Sequence, residues 1–335
     1  MNDHIRLLSV VVPVFNESAV IAEFNRRIAE TLHELPFAWE LIYVNDGSRD
    51  DSADLVRGFL KGSANTSLLD LSRNFGKEAA MTAGIDHASG DALVVIDADL
   101  QDPPELIPEM VRILQSGDYD VVYAQRASRS GETVLKKASA HLFYRLIGRV
   151  TGIDIPRDTG DFRLLNKRAI DALRRLREHH RFMKGLFAWI GFRQVALLYN
   201  RDPRFAGVSK FSYWRLWNFS LEGITSFTTA PLKVASYVGL ATSLGAALYG
   251  IAIVVGTLLF GNPVAGYPSL LVIVLFLGGL QLLTLGIIGE YLGRIFNESK
   301  ERPLYFVREH VRGAGAAPLN TAVEDGVRPT PAMQE

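Results

Sequence analysis

The stretch Ala92–Glu105 reads ALVVIDADLQDPPE, an apolar run that ends in a cluster of acidic and amide side chains. The apolar part is short and partly β-branched, which is typical of a strand buried inside a sheet. Asp97 and Asp99 follow it at once, so both carboxylates can point into one crevice at the strand end. Gln101 adds a neutral oxygen, and Mg²⁺ or Mn²⁺ shares such hard ligands with substrate phosphates. The stretch predicts a metal site, although Asp is also common in simple turns.

The residues around this stretch alternate between strand and helix patterns. The first strand, Leu7–Val14, reads LLSVVVPV, a continuous apolar run expected for a strand buried on both faces. Further strands are predicted at Trp39–Val44, Ser67–Leu71, Ala92–Ile96 and Asp120–Tyr123, with helices at Ala19–Leu35, Asp50–Leu60, Lys77–Ala88 and Glu105–Gln115. This order predicts an α/β domain with a mixed, mostly parallel sheet, whose ligands bind beyond the carboxyl ends of the strands.

Two more polar motifs follow strands of that sheet. In VVPVFNE (residues 11–17), Pro13 and Phe15 can wall a flat ring, and in VNDGSRDDS (residues 44–52), Asp46 can accept a base N–H. The alternative for both motifs is ordinary loop and capping chemistry. The sequence contains neither a GxGxxG motif nor a Walker motif, so it supports neither a dinucleotide-binding site nor a P-loop nucleotide site.

Basic residues supply candidate phosphate ligands. In RNFGKEAA, Lys77 opens a predicted helix, and a cation at a helix N-terminus favours a phosphate, with a surface turn as the alternative. In DTGDFRLLNK, Asp161 and Arg163 share a face if the segment is extended. They would then place a carboxylate beside a phosphate-binding guanidinium. The alternative is a buried structural ion pair.

The C-terminal part is strongly apolar, because no charged residue occurs between Val234 and Gly289. This length suffices for two membrane-spanning helices, predicted at about 234–260 and 269–289 around a Gly-Asn-Pro break. The alternative is a buried hairpin in a soluble domain. Lys233 precedes the first helix and the cations Arg294, Lys300 and Arg302 follow the second, which predicts that both termini are cytoplasmic.

The expected domains are an α/β domain in residues 1–230, two transmembrane helices in 231–292 and a C-terminal segment in 293–335, disordered from about 313. Residues 126–230 mix cations with aromatic side chains, which suits a surface on lipid headgroups, the alternative being a solvated face. The formal net charge is zero, so nucleic-acid binding is not indicated. The sequence has no cysteine, which excludes disulfides and thiolate metal sites. The N-terminus lacks a basic region and a cleavage site, so no signal peptide is expected.

Taken together, the motifs resemble the family 2 glycosyltransferases of GT-A fold, and within them the polyprenyl-phosphate glycosyltransferases. The resemblance runs from about Leu7 to Val311 and rests on these segments: VVPVFNE, VNDGS, SRNFGKEAA, DADLQDPPE, GDFRLL, HRFMKGLFAWIG, WNFSLEGITSFTTAP, FGNPVAGYPSLLV and IGEYLGRIF. The sequence lacks the Gln-x-x-Arg-Trp motif of processive synthases, which argues against a polysaccharide synthase.

The resemblance implies a role for each motif. The nucleotide base is expected to lie against Pro13, Phe15, Glu17 and Asp46, and Lys77 is expected to contact the donor as well. The metal and the diphosphate are expected to bind Asp97, Asp99 and Gln101. The lipid phosphate is expected to bind Arg126, Arg129 and Arg163. Asp161 is expected at the anomeric carbon. A phosphate nucleophile is already largely ionised at neutral pH, so we expect Asp161 to orient groups rather than to act as an essential base.

The implied reaction is the inverting transfer of a hexose, with glucose the expected sugar, from a UDP-sugar to undecaprenyl phosphate. It would take place on the cytoplasmic face of the bacterial inner membrane. GDP-mannose or a UDP-aminosugar as donor, and a non-catalytic membrane scaffold, are the alternatives. The resemblance also implies a homo-oligomer, with a tetramer as one candidate.

Overall fold

The computed structural model describes residues 5–127, 156, 159–199, 228–260 and 266–314. These residues form two compact units. The first contains residues 5–127, 156, 159–199 and 302–314, and the second contains 228–260 and 266–301. The chain therefore returns to the first unit after the long apolar helices of the second.

The first unit alternates strands and helices, as predicted. Its elements are β1 (Leu7–Val14), α1 (Ile21–His33), β2 (Ala38–Asn45), α2 (Ser52–Leu60), β3 (Thr66–Leu71), α3 (Lys77–His87), β4 (Ala92–Val95), α4 (Ile107–Gln115), β5 (Val121–Arg126), β6 (Thr159–Asn166), α5 (Lys167–Leu173), α6 (Met183–Trp189), β7 (Gln194–Tyr199) and β8 (Val307–Arg312). A single 3-10 turn, Pro104–Leu106, precedes α4 at the double proline.

The strands form one eight-stranded sheet in the order β7-β5-β6-β4-β1-β2-β3-β8. Neighbours among β1 to β4 are parallel, as are β5 and β7, whereas β6 runs antiparallel to β4 and β5, and β8 antiparallel to β3. The sheet is mixed and mostly parallel, which confirms the predicted fold class. The central strand β1 is buried on both faces, with Leu8, Val10, Val11 and Val12 fully inaccessible to solvent.

Helix α3 packs closely on the sheet, and this packing positions its first residue, Lys77. The helix is rich in Ala and Gly, and Ala79 to Ile85 are all buried. A Cβ atom on Gly84 would lie only 2.2 Å from Cγ1 of Val11, so no larger residue fits there without a shift. The small side chains thus allow α3 to pack directly on β1.

Strand β8 was not predicted from the sequence. Its residues VREHVR are mostly charged or polar, which suits an edge strand exposed to solvent but gives no apolar alternation. Beyond the strand, the Gly313 N–H donates to the Thr66 carbonyl at 2.8 Å, and the Ala314 N–H donates to the Leu60 carbonyl at 3.2 Å. The segment after the apolar helices is therefore part of the first unit up to residue 314, and the predicted disorder beyond it lies outside the described residues.

The second unit contains two long helices, α7 (Ala230–Phe260) and α8 (Tyr267–Ser299). Both are longer than the predicted spans, and α8 continues ten residues past Gly289. By length and composition, α7 and α8 are each able to cross a membrane. Their large apolar side chains are exposed, with Leu258 at 81% and Phe260 at 87%.

Candidate active site

The polar motifs of the sequence meet at one edge of the sheet. Strands β1 to β5 and β7 all run in the same direction, so their carboxyl ends lie along this edge. Strand β6 runs the opposite way, so its first residues lie there too. Val95 at the end of β4 is paired with Arg163, which places Asp161 just beyond the end of β4, beside Asp97. Antiparallel insertion of β6 thus brings two distant motifs together.

Lys77 joins these two motifs. Its Nζ lies 2.7 Å from a carboxylate oxygen of Asp97 and also donates to Oδ2 of Asp161. Burial raises the pKa of Asp161, but the charges of Lys77 and Lys184 outweigh it and hold that pKa well below its usual range. Burial raises the pKa of Asp97, which the charge of Lys77 only partly offsets. Asp161 is therefore ionised at neutral pH, as expected for an electrostatic or orienting group.

The turn after β4 brings the predicted metal ligands together. Leu100 has a φ of +58°, an uncommon conformation for a residue with a branched side chain, and such strain occurs most often at functional sites. The Gln101 N–H donates to Oδ1 of Asp99 at 3.1 Å, which closes the turn. The charge of Asp99 adds to the raised pKa of Asp97, so the two carboxylates repel each other. A bound cation would relieve this repulsion.

This turn fits a metal that takes few protein ligands. Among the described residues, no group of three or more His, Cys, Asp and Glu side chains is arranged to hold a metal ion. The candidate ligands in this turn are therefore the two carboxylates of Asp97 and Asp99 and the side-chain amide of Gln101. Mg²⁺ commonly binds through one or two carboxylates and completes its shell with substrate phosphates and water. The ligand set therefore suits a metal that arrives with, or is completed by, a phosphorylated substrate.

Asp46 holds the loop that leads into α3. Its carboxylate accepts the N–H groups of Phe75 at 2.7 Å and Gly76 at 3.0 Å. Burial raises the pKa of Asp46, and these two hydrogen bonds oppose the rise. Gly47 has a φ of +66°, and a Cβ there would lie 2.6 Å from the Asn74 nitrogen, so the close contact of the two loops requires glycine. Each carboxylate oxygen retains a lone pair for a further donor.

The remaining predicted base ligands lie at the end of β1. Pro13 is partly buried, and the Phe15 ring is 41% exposed beside the sheet edge. The Glu17 N–H donates to Oγ of Ser52 at 2.8 Å, which ties this loop to the start of α2. An exposed aromatic ring at this edge offers a flat apolar surface to a ligand.

Arg163 is buried and incompletely paired. Only 1% of the residue is exposed, Nη2 donates to the Gly160 carbonyl at 3.2 Å, and the guanidinium lies 4.1 Å from the centre of the Phe187 ring. Its Nε and Nη1 have no hydrogen-bond partner within the described part of the chain. Burial lowers the pKa of Arg163 to about 10. Asp161 pairs with Lys77 rather than with Arg163, so the alternative of a simple Asp161–Arg163 ion pair is wrong.

Arg126 ends β5 on the same edge, and its Nε is likewise buried without a partner among the residues described. Unpaired buried N–H groups are costly in a folded protein, so two such arginines indicate a place for an anion. Arg129, the third predicted phosphate ligand, lies outside the described residues, as does much of the predicted interfacial surface. Its role stays a prediction.

Sequence analysis missed two charged residues beneath this site. Nζ of Lys184 donates to the Thr159 carbonyl at 2.9 Å, and Glu78 accepts the Met183 N–H at 3.2 Å. Burial, with the charge of Asp161, raises the pKa of Glu78 to about 8. These contacts fix α6 against the start of β6 and α3. The only signal was the position of Lys184 in the segment HRFMKGLFAWIG, which by itself indicates no chemistry.

Phe306 and Arg308, at the start of β8, hold the other side of the loop that Asp46 binds. The Ser72 N–H donates to the Phe306 carbonyl at 2.9 Å, and the Arg308 guanidinium donates to the Ser72 carbonyl at 2.7 Å. The rings of Phe75 and Phe306 lie 6.4 Å apart. The loop from residue 72 to 77, which we call the donor loop, is thus held between Asp46 and the returning C-terminal segment.

The carboxyl edge of this mixed α/β sheet gathers an Asp-x-Asp turn, a lysine, the buried Arg163 and the partly buried Arg126, a set that suits an enzyme acting on phosphorylated substrates. The model of Glycosyl transferase family 2 matches residues 9–174. The chain is 50% identical over 302 residues to an uncharacterised glycosyltransferase of Synechocystis, covering 90% of this chain and 95% of that protein. The chain belongs to glycosyl transferase family 2 and is a glycosyltransferase.

Two further relatives extend the similarity. An uncharacterised glycosyltransferase of Bacillus subtilis is 47% identical, covering 92% of this chain and 95% of that protein. A prophage-derived bactoprenol glucosyl transferase of Shigella flexneri is 45% identical, covering 91% of this chain and 99% of that protein. The similarity therefore includes the apolar helices and not only the α/β unit, which confirms the family predicted from the motifs.

Proposed function

We propose that the protein transfers glucose from UDP-glucose to polyprenyl phosphate by a single inverting displacement. The observation that carries the proposal is the charge arrangement at the sheet edge. Lys77 holds the ionised Asp161 beside the Asp-x-Asp turn, and Arg163 presents buried, unpaired N–H groups in the same neighbourhood. The names of relatives such as the bactoprenol glucosyl transferase of Shigella flexneri support both the sugar and the acceptor.

The donor half of the site would use the loops after β1, β2 and β4. The uracil ring would lie against Pro13 and Phe15, with Glu17 and Asp46 as acceptors for its N–H and ribose groups. Asp97, Asp99 and Gln101 would hold Mg²⁺ or Mn²⁺ on the diphosphate. When bound, such an ion neutralises the charge that grows on the departing nucleoside diphosphate. Lys77 would add a second positive charge for the same diphosphate.

The acceptor half would use Arg126, Arg129 and Arg163. A phosphate monoester is largely dianionic at neutral pH, so the reacting oxygen needs little deprotonation. Its main obstacle is repulsion from the donor diphosphate, which guanidinium groups reduce while they orient the phosphate through paired hydrogen bonds. Asp161 stays ionised beside Lys77 and would therefore orient the sugar or stabilise positive charge at the anomeric carbon.

The two apolar helices would anchor the enzyme in the bacterial inner membrane. Strand β8 follows α8 and belongs to the same sheet as the strands that precede α7. A chain that leaves and rejoins one sheet must cross the membrane an even number of times. This supports two crossings with both flanks on one side, and the cations Lys233, Arg294, Lys300 and Arg302 favour the cytoplasmic side. The homo-oligomer stays a prediction.

A panel of labelled donors tests the proposal. Membranes containing the protein are incubated with polyprenyl phosphate and UDP-glucose, GDP-mannose or a UDP-aminosugar, and the lipids are then extracted. Label should enter the lipid fraction from UDP-glucose and not when Asp161→Asn replaces the wild type. Labelling from another donor only would keep the reaction type and change the sugar. No labelled lipid from any donor would contradict polyprenyl phosphate as the acceptor.

A further inference from the structure

Asp102, the last carboxylate of the stretch ALVVIDADLQDPPE, has no part in the donor, metal or acceptor sets above. It is only 3% exposed. Its Oδ1 accepts a short hydrogen bond from the hydroxyl group of Tyr199, the last residue of β7, which is 6% exposed. A buried carboxylate is retained in a folded protein only where its interactions offset the cost of desolvation. The hydrogen bond with Tyr199 therefore indicates the role of Asp102.

Tyr199 connects this carboxylate to Arg126. The two residues are register partners where β5 and β7 end, and the Ala127 N–H donates to the Tyr199 carbonyl at 2.9 Å. Burial raises the pKa of the Tyr199 phenol, as does Asp102, while the neighbouring Arg126 guanidinium lowers it. A phenol has one proton to donate. Since Asp102 takes that proton, the phenol oxygen is left as an acceptor for the guanidinium.

The second oxygen of Asp102 faces β6. A Cβ atom on Gly160 would lie 3.0 Å from Oδ2 of Asp102, so the carboxylate occupies the space that any other residue at this position would need. Gly160 precedes Asp161 and accepts the Arg163 hydrogen bond through its carbonyl. Asp102 is thus packed between the backbone that carries Asp161 and the tyrosine that is the register partner of Arg126.

We propose that Asp102 and Tyr199 are positioning residues that hold the Arg126 guanidinium toward the acceptor phosphate. The inference rests on the proposed function, because it takes Arg126 as a phosphate ligand. A free arginine side chain samples many rotamers, and restraining it before the phosphate arrives avoids part of the entropy cost of binding. A phenol oxygen that accepts from one terminal nitrogen would leave the buried Nε of Arg126, which has no partner among the described residues, to donate to another acceptor.

The test is a double-mutant cycle between Tyr199→Phe and Arg126→Ala in the full-length protein in lipid vesicles. Tyr199→Phe keeps the ring and removes only the hydroxyl group. It should raise the KM for polyprenyl phosphate about two- to tenfold, the equivalent of one hydrogen bond, and leave the KM for UDP-glucose unchanged. In the Arg126→Ala background the same change should have no further effect on the acceptor KM, because its target is gone.

Tyr305→Phe is the matched control, since it removes a hydrogen bond from a tyrosine hydroxyl group to Asp86 (2.8 Å) near the C-terminal end of α3. It should leave the acceptor KM unchanged. A wild-type acceptor KM for Tyr199→Phe, with Arg126→Ala impaired, would overturn the inference and leave the proposed function intact. Equal losses in both backgrounds would overturn it as well. Wild-type behaviour of Arg126→Ala would remove Arg126 from the acceptor site and the inference with it.

Discussion

Replacing Arg163 by lysine separates a structured phosphate clamp from a generic positive charge. The wild-type guanidinium lies over the Phe187 ring at 4.1 Å, donates to the Gly160 carbonyl at 3.2 Å and keeps Nε and Nη1 for another acceptor. Lysine retains the charge but lacks the planar fork, so it cannot stack on the ring and bind a phosphate through two nitrogens.

The expected loss follows from these contacts. A hydrogen bond to a charged group contributes about 1.5–3 kcal/mol, and about 1.4 kcal/mol corresponds to a tenfold change in rate. Losing one bond to the acceptor phosphate should lower turnover of polyprenyl phosphate roughly ten- to a hundredfold in Arg163→Lys. Arg163→Ala should lose at least as much, because it removes the charge as well. Donor affinity should be unaffected in both variants.

The assay is the initial rate against polyprenyl phosphate at saturating UDP-glucose. Arg168→Lys is the matched control, because Arg168 lies 5.3 Å from the Phe192 ring and pairs with Asp120, but its side chain is 68% exposed on α5. It should retain the wild-type rate. Wild-type rates in both Arg163 variants would refute the reasoning, since a buried, unpaired guanidinium would then have no part in acceptor binding.

Three further predictions concern the metal, the donor loop and the C-terminal strand. Asp99→Asn should abolish turnover, because the amide lacks the charge to hold the ion; full turnover in excess EDTA would contradict a metal requirement. Arg308→Ala removes the bond to the Ser72 carbonyl and should weaken UDP-glucose binding about two- to tenfold in calorimetric titration, so an unchanged Kd would uncouple β8 from the donor loop. His310 is exposed, but desolvation of its ring, which lies 5.7 Å from the His87 ring, and the charges of His87 and Arg312 lower its pKa from 6.5 to about 4. The unfolded chain then takes up this proton first, so stability should fall as pH drops from about 6.5 to about 4, and His310→Gln should reduce that fall in Tm measurements.

The first half of the sheet was predictable from the sequence because its strands are buried and its helices α1, α2 and α4 are amphipathic. Predicted strands and helices there match the structure within about two residues, apart from β5, which extends to Arg126. Apolar runs such as LLSVVVPV have one stable solution, a strand covered on both faces. The Asp-x-Asp turn was predictable for the same reason, since it directly follows such a strand.

Strands β6, β7 and β8 were not predictable in this way. Strand β6 joins the sheet antiparallel, so the meeting of Asp161 with Asp97 depends on a pairing between residues far apart in sequence. Strand β8 carries almost no apolar signal, and its pairing with β3 requires the chain to return after two long helices. A truncation that removes the helices therefore also removes β8. A variant that replaces α7 and α8 by a linker and keeps residues 302–314 is needed to separate the effect of losing the helices from the effect of losing β8.

The pairing of Lys77 with Asp161 could not be predicted from the sequence either. The motifs named Lys77, Asp161 and Arg163, and parity along a strand placed Asp161 beside Arg163. The partner of Asp161 in the structure is Lys77, which no local pattern linked to it. Helix α3 decides this outcome, because its small residues bring Lys77 down onto the sheet edge. Side-chain partners of this kind follow from packing between elements, which local sequence patterns do not encode.

The anomeric configuration of the product tests the central claim most directly. Purified protein in lipid vesicles is incubated with UDP-glucose and polyprenyl phosphate, and the extracted glycolipid is examined by nuclear magnetic resonance. A single displacement at the Asp161 edge of the sheet predicts a β-linked glucosyl phosphate, because the donor carries the sugar in the α configuration. An α-linked product, or the absence of any glucosylated lipid, would contradict the account.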